Sequence, residues 1–250
     1  MTSQIQYIHT TKTHNTRAAE AFVPILFAEA GIPRSVVDVG CGTGTWLHVC
    51  KESGVGTILG IDGDNVDLNS LHIDRTEFKS FDLTKPLALD QAFELAICLE
   101  VAEHLPEASA DQLVDTLCRL SDRILFSAAM PEQGGQNHLN EQFFDYWKDK
   151  FNQRGYLCRD AFRNTIWNDT RVDAWYRQNM YLVEKVQNTP VTQEPINSYY
   201  HPEIYLHKAS LYAKVFSAHQ ATRNGEIHVS QALKILVKSI LFSVRKLFNA

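Results

Sequence analysis

The chain has 250 residues, of which 44% are hydrophobic and 21% are charged, and its formal net charge is −5. This length and composition suit one large globular domain, or one domain with appendages. The acidic balance disfavours broad nucleic-acid binding, which needs a basic face, and the five cysteines form no C-x-x-C pair, so neither a zinc site nor a disulfide framework is indicated.

Targeting signals are not evident in the sequence. The N-terminal segment is polar and lacks the apolar core of a signal peptide. No apolar run approaches the length of a membrane span. We therefore expect a cytoplasmic protein with reduced thiols.

An N-terminal cap segment and helix are predicted over residues 1–30. The helix is expected to begin at Thr16, which is a suitable N-cap, and Gly31 and Pro33 lie where it should end. Pro24 falls inside this helix and is expected to kink or split it.

A glycine-rich turn follows the first predicted strand, within residues 36–47 (VVDVGCGTGTWL). The apolar run at 36–39 predicts a buried strand, and a helix is expected from Thr45. Between them, glycine occupies every second position after Asp38, at Gly40, Gly42 and Gly44. A strand that turns into a helix through glycines leaves bare backbone beside a ligand site, because a Cβ atom would block the approach.

The glycine spacing separates two cofactor classes. The dinucleotide fingerprint G-x-G-x-x-G places a phosphate on the helix N-terminus, whereas this loop reads D-x-G-x-G-x-G. Asp38 would repel an anionic pyrophosphate and suits a ligand that carries an ammonium group. A glycine-rich turn that binds no ligand is the alternative.

The second predicted strand, residues 57–61, ends in the acidic run Asp62-Gly63-Asp64. An acidic residue at this strand tip can accept both hydroxyls of a ribose. Asp62 is therefore the ribose candidate, and Asp64 is expected in a solvated turn.

Strands and helices then alternate. Further strands are predicted at 78–81, 93–99 and 123–129, and helices at 108–120 and 141–154. This alternation predicts a doubly wound α/β sheet.

The pattern changes after Gly155. Segments 156–167 and 175–184 contain strand-like pieces with no helix between them, which predicts a hairpin that completes the sheet. Residues 186–202 are polar with three prolines and are predicted to be a linker, and residues 203–222 are predicted to form a helix.

The C-terminal tail, residues 228–250, is basic and amphipathic. It contains no acid, and its basic residues are Lys234, Lys238, Arg245 and Lys246. Such a helix can lie on an anionic membrane surface, which would make the protein peripheral at the inner face of a membrane. Packing on its own domain or on a partner is the alternative and the more usual outcome.

At the glycine loop, and over roughly residues 30–185, the sequence resembles the class I methyltransferases that use S-adenosylmethionine. The resemblance implies a seven-stranded, mainly parallel, Rossmann-like sheet in the order 3-2-1-4-5-7-6, with an antiparallel last strand. The cofactor-binding domain is then expected over 31–185, and a linker with a C-terminal helical appendage over 186–250.

The resemblance also implies a cofactor site. In that family the glycine loop wraps the methionine part of the cofactor, and the residue matching Asp82 takes the adenine amino group while the backbone N–H of Leu83 meets the ring. Asp82 before a Thr-Lys-Pro turn is also ordinary loop chemistry. The expected cofactor-binding residues are Asp38, Gly40, Cys41, Gly42, Gly44, Asp62, Gly63, Asp82, Leu83 and Glu100.

The acceptor side is expected at the carboxyl ends of strands four and five. Methyl transfer from a sulfonium is a displacement, and a hydroxyl acceptor must lose its proton. Glu100, Glu103 and His104 have the spacing i, i+3, i+4 and share one face if their turn is helical. His138 follows strand five and is expected to join them.

These four residues can bind a divalent ion such as Mg, Mn, Fe or Zn, which would lower the pKa of the acceptor hydroxyl. The E-x-x-E-H run with a downstream histidine is similar to the metal-assisted small-RNA 2′-O-methyltransferases and the ubiquinone-pathway ring O-methyltransferases. The same run also occurs in class I methyltransferases with no known metal. In the metal-free alternative His104 or His138 is the general base, and either histidine can instead be structural.

The combined prediction is transfer of a methyl group to a hydroxyl of a small molecule, such as a sugar, a lipid-linked glycan or a phenol-like acceptor. N-methylation of a small amine and a catalytically silent cofactor-binding scaffold are the alternatives. Residues 7–14 are expected to contact the acceptor, whereas the aromatic side chains at Phe143, Phe144, Tyr146 and Trp147 are more often core than pocket.

Overall fold

Seven strands form one sheet in the computed structural model, which describes residues 15–186 and 192–248. The strands are β1 Ser35–Val39, β2 Thr57–Asp62, β3 Phe78–Ser80, β4 Leu95–Leu99, β5 Arg123–Ser127, β6 Tyr156–Arg159 and β7 Tyr181–Lys185. Their order is β3-β2-β1-β4-β5-β7-β6. β1 to β5 pair in parallel, and β7 is antiparallel to both β5 and β6. The predicted doubly wound α/β fold is confirmed.

Eight α-helices accompany these strands in the described part of the chain. They are α1 Arg17–Ala30, α2 Thr45–Glu52, α3 Ala110–Leu120, α4 Phe144–Asn152, α5 Arg163–Ile166, α6 Ala174–Asn179, α7 Pro202–Asn224 and α8 Val229–Phe248. The predicted hairpin is present, but the prediction that no helix lies between its strands was wrong. α5 and α6 are only 4 and 6 residues long, which is too short for a helical period to be told from strand alternation.

The first helix ends as predicted but is not split. Gly31 takes φ 77°, and its N–H bonds to the Phe27 carbonyl to close α1. The helix runs through Pro24 as one element. Thr16 occupies the N-cap position, although its hydroxyl bonds to the Glu20 carboxylate rather than to a backbone N–H.

Two apolar layers sandwich the sheet. One layer joins α1 and α2 to one face of the strands, and the other joins α3 and α4 to the opposite face. All five residues of β4 are buried, as expected for a central parallel strand covered on both faces. The carboxyl ends of β1, β2, β4 and β5 therefore meet at one edge, where a doubly wound fold binds ligands.

The chain divides into two units, the first extending through His201 and the second formed by Pro202–Ala250. Within the predicted linker, residues 192–201 form neither helix nor strand. They are nevertheless bonded to the first unit: the Asn197 carbonyl accepts from Arg163 at 3.0 Å, and Tyr200 donates to the Pro131 carbonyl at 2.6 Å. We call residues 192–201 the strap.

The second unit contains α7 and α8, the two helices predicted after the linker. Searched over the described residues, the structure holds no helix with both the length and the apolarity to cross a membrane.

Candidate functional site

A cavity of about 1070 Å³ lies at the carboxyl edge of the sheet. It runs from the glycine loop after β1 to the loops after β4 and β5. Gly44 does not line it, but the other predicted site residues do: Asp38, Gly40, Cys41, Gly42, Asp62, Gly63, Asp82, Leu83, Glu100, Glu103, His104 and His138.

The glycine loop takes a backbone shape that other residues rarely adopt. Gly40, Gly42 and Gly44 have φ of 87°, 53° and 79°, in the region that favours glycine. A Cβ atom at Gly40 would lie 2.3 Å from the Val101 side chain, and one at Gly44 would lie 2.9 Å from Ile73. The glycines therefore serve both the turn and the close packing beneath it.

Asp62 joins the tip of β2 to the glycine loop. One carboxylate oxygen accepts the Gly42 N–H at 2.6 Å, and the other accepts the Gly63 N–H at 2.6 Å. These bonds hold the carboxylate at the cavity wall, where the sequence predicts a ribose contact.

Asp38 is a buried acid beneath the loop, with only 3% of its surface exposed. Burial raises the pKa of this carboxyl well above its usual range, and the charge of nearby Asp62 raises it further. A cationic ligand group in the cavity would offset both effects.

The Asp82 side chain makes the turn hydrogen bonds that were expected as the alternative to an adenine contact. Its carboxylate accepts the Thr84 N–H at 3.0 Å and the Thr84 hydroxyl at 2.6 Å, and pairs with Lys85 at 3.0 Å. These bonds hold the pKa of Asp82 below its usual value. An adenine contact from the same cavity-lining residue stays a prediction.

The loop after β4 is not one helical turn. Within residues 100–104 only Ala102–His104 is helical, as a 3-10 turn, and Glu100 has a left-handed φ of 54°. The shared face expected from the i, i+3, i+4 spacing is therefore absent for Glu100.

Glu103, His104 and His138 come together without Glu100. Each offers a ligand atom, and these atoms all lie within 4.8 Å of one another. The two imidazole rings meet edge to face, with centroids 4.8 Å apart. A carboxylate and two imidazoles form a mixed donor set that suits several divalent ions.

Backbone bonds bring the His138 loop to the Glu103 turn. The carbonyl of Glu103 accepts from Leu139 N at 2.7 Å and from Asn140 N at 3.0 Å. These two bonds hold residues that are 36 and 37 positions apart in the chain side by side. The Gln142 N–H closes the His138 loop by bonding to the Ala129 carbonyl at 3.2 Å.

Glu141 orients the His138 ring. Its carboxylate lies 2.7 Å from His138 Nδ1 and also accepts the N–H groups of Glu132 and Gly134. With Nδ1 protonated toward this carboxylate, Nε2 is left as the basic atom of the ring. Sequence reasoning missed Glu141, although its place three residues after His138 was a usable signal.

Glu103 is fully buried, and among the residues that the structure describes neither of its carboxylate oxygens has a partner in good hydrogen-bond geometry. Burial raises the pKa of this carboxyl well above its usual range and the charge of Glu100 adds to the rise, while the nearby backbone N–H groups of Glu103 and Ala129 oppose it. A buried carboxylate in this state is costly, so the pocket favours a proton or a cation at Glu103.

Glu100 is bound by side-chain amides instead. Gln133 Nε2 donates to one carboxylate oxygen at 2.8 Å, and Asn179 Nδ2 donates to the other at 3.2 Å. Burial raises the pKa of Glu100, while these two bonds oppose the rise. Asn179 gave no local signal, because it lies 79 positions away in the chain.

The aromatic wall of the cavity differs from the aromatic helix. Phe144 and Trp147 are core residues, as the usual pattern predicts. The aromatic side chains that line the cavity are Trp46, Phe81, Trp175 and Tyr176. The predicted acceptor contacts at residues 7–14 lie outside the described residues.

Comparisons with known proteins bear on this site and fold. The family model described as "Methyltransferase domain" matches residues 11–163. Two solved structures share the fold at low identity. An amino pentose methyltransferase from Micromonospora echinaspora, with bound S-adenosylmethionine, has a TM-score of 0.54 at 12% identity, covering 72% of this chain and 98% of that one. A magnesium protoporphyrin IX methyltransferase from Synechocystis PCC 6803, with bound S-adenosylhomocysteine, has a TM-score of 0.51 at 15% identity, covering 72% and 89%.

One curated relative aligns over a shorter stretch. It is the ribosomal RNA large subunit methyltransferase E of Methanoregula boonei, 29% identical over 107 residues, which is 40% of this chain. The chain spans about half (53%) of the length of that relative.

Proposed function

The chain belongs to the methyltransferase domain family, and from that premise we propose that it transfers a methyl group to a hydroxyl of a small molecule. The methyl donor is S-adenosylmethionine, the cofactor of solved methyltransferases with this fold. The observation that carries the proposal is the single cavity that joins the glycine loop and Asp62 to Glu103, His104 and His138. A methyl donor bound at the glycine-loop end would face the proton-accepting side chains at the other end.

At the cofactor end of the cavity, we assign each residue the role that the sequence predicts for it. Asp62 accepts the ribose hydroxyls, the bare backbone from Gly40 to Gly44 contacts the methionine part, and Asp38 faces its ammonium group. Asp82, with the Leu83 backbone, meets the adenine. Glu100 stands between this end and the acceptor end, with its carboxylate held by amides.

His138 is the base that the geometry favours for a hydroxyl acceptor. Its Nδ1 faces Glu141 at 2.7 Å, so Nε2 is the atom that can accept a proton. The Glu141 carboxylate also stabilises the imidazolium that forms. His104, edge to face with His138, serves as the second base candidate.

Glu103, His104 and His138 fit a divalent ion as well. The buried carboxylate of Glu103, which lacks a well-placed hydrogen-bond partner in the described part of the chain, supports this fit, as does the mixed oxygen and nitrogen donor set. When bound there, the ion would lower the pKa of the acceptor hydroxyl. Glu141 would then orient His138 as a ligand, and Glu103 would supply the negative charge.

A small acceptor agrees with the charge of the cavity. Among the residues that the structure describes, its lining carries seven acids, at Asp38, Asp62, Asp64, Asp82, Glu100, Glu103 and Asp173, against one lysine, Lys85. A polyanionic nucleic acid would meet repulsion there, although the curated relative is by its name an RNA methyltransferase. A sugar, lipid-linked glycan or phenol would not. N-methylation of a small amine is the second candidate, since the acidic lining also attracts a cationic amine.

Calorimetric titration with S-adenosylmethionine, followed by an acceptor screen that detects S-adenosylhomocysteine, tests this function. We expect cofactor binding and turnover with sugars or catechols. Binding without turnover of any hydroxyl or amine acceptor would favour the silent scaffold, and absence of cofactor binding would overturn the proposal.

Metal analysis of the purified protein and a chelator-sensitive assay separate the two deprotonation routes. We expect Glu103→Ala and His138→Ala to lose bound metal and turnover together. If both variants keep full turnover, the metal proposal fails, and if only His138→Ala loses turnover in metal-free protein, His138 is the base.

For the second unit we propose contact with an anionic membrane surface. The α8 side chains Leu233, Leu236 and Ile240 are 61%, 55% and 54% exposed, beside Lys234 and Lys238 and with no acid in the helix. An apolar face bordered by cations matches an anionic lipid surface.

Co-sedimentation with phosphatidylglycerol vesicles tests the membrane contact. We expect the full chain to bind, and Lys234→Glu/Lys238→Glu or removal of residues 229–250 to abolish binding. Failure of the full chain to bind, or formation of a dimer through α8 that does not dissociate on vesicles, contradicts this proposal.

A further inference from the structure

The strap crosses the outside of the first unit and ends in a buried position. Most of its residues are exposed, but His201 at its end is only 3% exposed. The backbone N–H of His201 donates to Gln178 Oε1 at 2.6 Å. Gln178 itself is 0% exposed, so this bond is shielded from water.

Three side-chain amides lead from that bond to the cavity. Gln178 Nε2 lies 3.2 Å from Gln133 Oε1 and 3.1 Å from Asn179 Oδ1. Asn179 Nδ2 lies 2.8 Å from Gln133 Oε1. The NH₂ groups of Gln133 and Asn179 then point at the two oxygens of Glu100. We call Gln178, Gln133 and Asn179 the amide relay.

The direction of every amide in the relay follows from the His201 N–H. Because Gln178 uses its oxygen to accept from the backbone, its NH₂ group must face Gln133 and Asn179. Those two side chains then present oxygens to Gln178, which leaves only their NH₂ groups to face Glu100. One backbone donor at one end and one carboxylate at the other leave a single consistent arrangement.

We propose that the amide relay is a positioning device, by which the strap holds the Glu100 carboxylate in the cavity wall toward the cofactor. Gln178 and Asn179 do not line the cavity, so they act through Glu100. The strap is then a working part of the active site rather than a linker. This inference rests on the proposed methyltransferase function and on the cofactor contact that the sequence predicts for Glu100.

The surroundings of Glu100 explain why such a device is needed. Glu103 faces it from the same loop and repels it, while His138 attracts it from the loop after β5. Tyr176 of α6 lies near with a neutral hydroxyl. The left-handed backbone at Glu100 adds strain that its partners must hold in place. A flipped amide would point an oxygen at the carboxylate and release it.

Calorimetric titration of the full chain with S-adenosylmethionine tests the relay. Gln178→Met is close to Gln in shape but neither donates nor accepts a strong hydrogen bond. We expect it to raise the Kd about tenfold, as when a bond to a charged group is lost. Gln112→Met, the same exchange on α3 outside the cavity lining, should leave the Kd within about twofold.

The Kd change caused by Gln178→Met in a Glu100→Gln variant separates a positioning role from a merely structural one. A neutral amide at position 100 can donate as well as accept, so the direction of the relay no longer matters. We expect Gln178→Met to change the Kd by less than about twofold in that background. An equal loss in both backgrounds would overturn the relay, as would an unchanged Kd for folded Gln178→Met.

Another variant acts on the other end of the relay. His201→Pro removes the backbone N–H that sets the direction of Gln178, so it should bind the cofactor like Gln178→Met. A Kd for His201→Pro equal to that of the wild type would overturn the proposal. If Glu100→Gln alone leaves the Kd unchanged, the relay serves no cofactor contact and the proposal fails, while binding by the wild type still supports the methyltransferase function.

Discussion

The two ends of the cavity are built by different means. At the cofactor end, backbone shape dominates: Gly40, Gly42 and Gly44 hold positive φ values, and Asp62 accepts the backbone N–H groups of Gly42 on the loop and of Gly63 beside it. At the acceptor end, side chains from distant parts of the chain converge, and Glu103 is buried without a partner among the described residues. The first end is a site shaped by a fixed backbone conformation, and the second holds buried ionisable groups that a proton or a ligand must neutralise.

This difference implies that substitutions at the two ends have opposite effects on stability. At the glycine end, a change should cost stability and cofactor binding together, since one backbone shape serves both. At the acceptor end, removal of an ionisable group should improve stability and harm function, because the proposed reaction uses buried groups that cost stability.

The largest effect is expected from Gly40→Ala. The substitution combines a backbone penalty of about 1–3 kcal/mol with a clash against Val101 worth about 1–3 kcal/mol, and cofactor binding should be lost with the loop shape. Gly31→Ala is the matched control, because its φ is 77° but a Cβ there meets no atom within 4 Å. Denaturant unfolding and calorimetry measure both effects, and equal losses in the two variants would refute the clash.

Glu103→Gln should act in the opposite direction. The amide is neutral without taking up a proton or a cation, so this variant is expected to raise the free energy of unfolding at neutral pH by about 1–3 kcal/mol, while metal uptake and turnover fall. The pKa of Glu103 is raised in the folded state, so the wild type loses stability as pH rises from the ordinary value of 4.5 toward the raised pKa.

The stability gap between Glu103→Gln and the wild type should therefore close near pH 4.5 and widen above it. Thermal unfolding across the pH range checks this slope. A variant that is less stable than the wild type at neutral pH would contradict an unbalanced charge at the acceptor end.

Asp38→Asn should weaken cofactor binding by about tenfold, the size of one lost charge-assisted hydrogen bond. The pKa of Asp38 is raised in the free protein, and a bound ammonium favours the ionised carboxyl. Below the raised pKa, cofactor binding to the wild type should thus release a proton and strengthen as pH rises.

Calorimetry in two buffers of different ionisation enthalpy detects that proton. We expect the apparent binding enthalpy of the wild type to depend on the buffer and that of Asp38→Asn to depend on it less. Equal buffer dependence in the two proteins would show that Asp38 does not contact the ammonium group.

The smallest effect on stability is expected from Gly135→Ala. A Cβ there would lie 2.1 Å from His138 Nε2, so the ring must turn away, and metal affinity or turnover should fall about tenfold. The exposed loop should lose less than about 0.5 kcal/mol of stability. Gly56→Ala, whose Cβ would sit at an ordinary 3.6 Å from the Arg34 carbonyl, is the control. Full turnover in Gly135→Ala would exclude His138 from the chemistry.

The fold was predictable because its signals are local. Apolar runs mark the parallel strands, and the positive φ values of the glycine loop follow from residue type at three alternate positions. The helices α5 and α6 escaped prediction because a period of 3.6 residues cannot be read over so few positions.

Much of the acceptor end could not be predicted, for a related reason. The Asn179–Glu100 bond spans 79 positions and the His201–Gln178 bond spans 23, so no local pattern marks these pairs. The strap has the composition of a linker, yet it is bonded to the first unit. Its bonds to Arg163 and Gln178 are made by main-chain atoms, which composition does not record. The meeting of His138 with Glu103 was predicted only from strand order, and Glu100 did not join their cluster.

Main-chain hydrogen bonds join the Glu103 turn to the loop after β5: the Glu103 carbonyl accepts from Leu139 N and Asn140 N. The same loop is closed on itself by the bond from Gln142 N to the Ala129 carbonyl. Exchanges of side chain along this loop would leave these bonds in place. Descendants of this chain could therefore trade one acceptor for another by altering the loop's surface, while His138 stays beside Glu103.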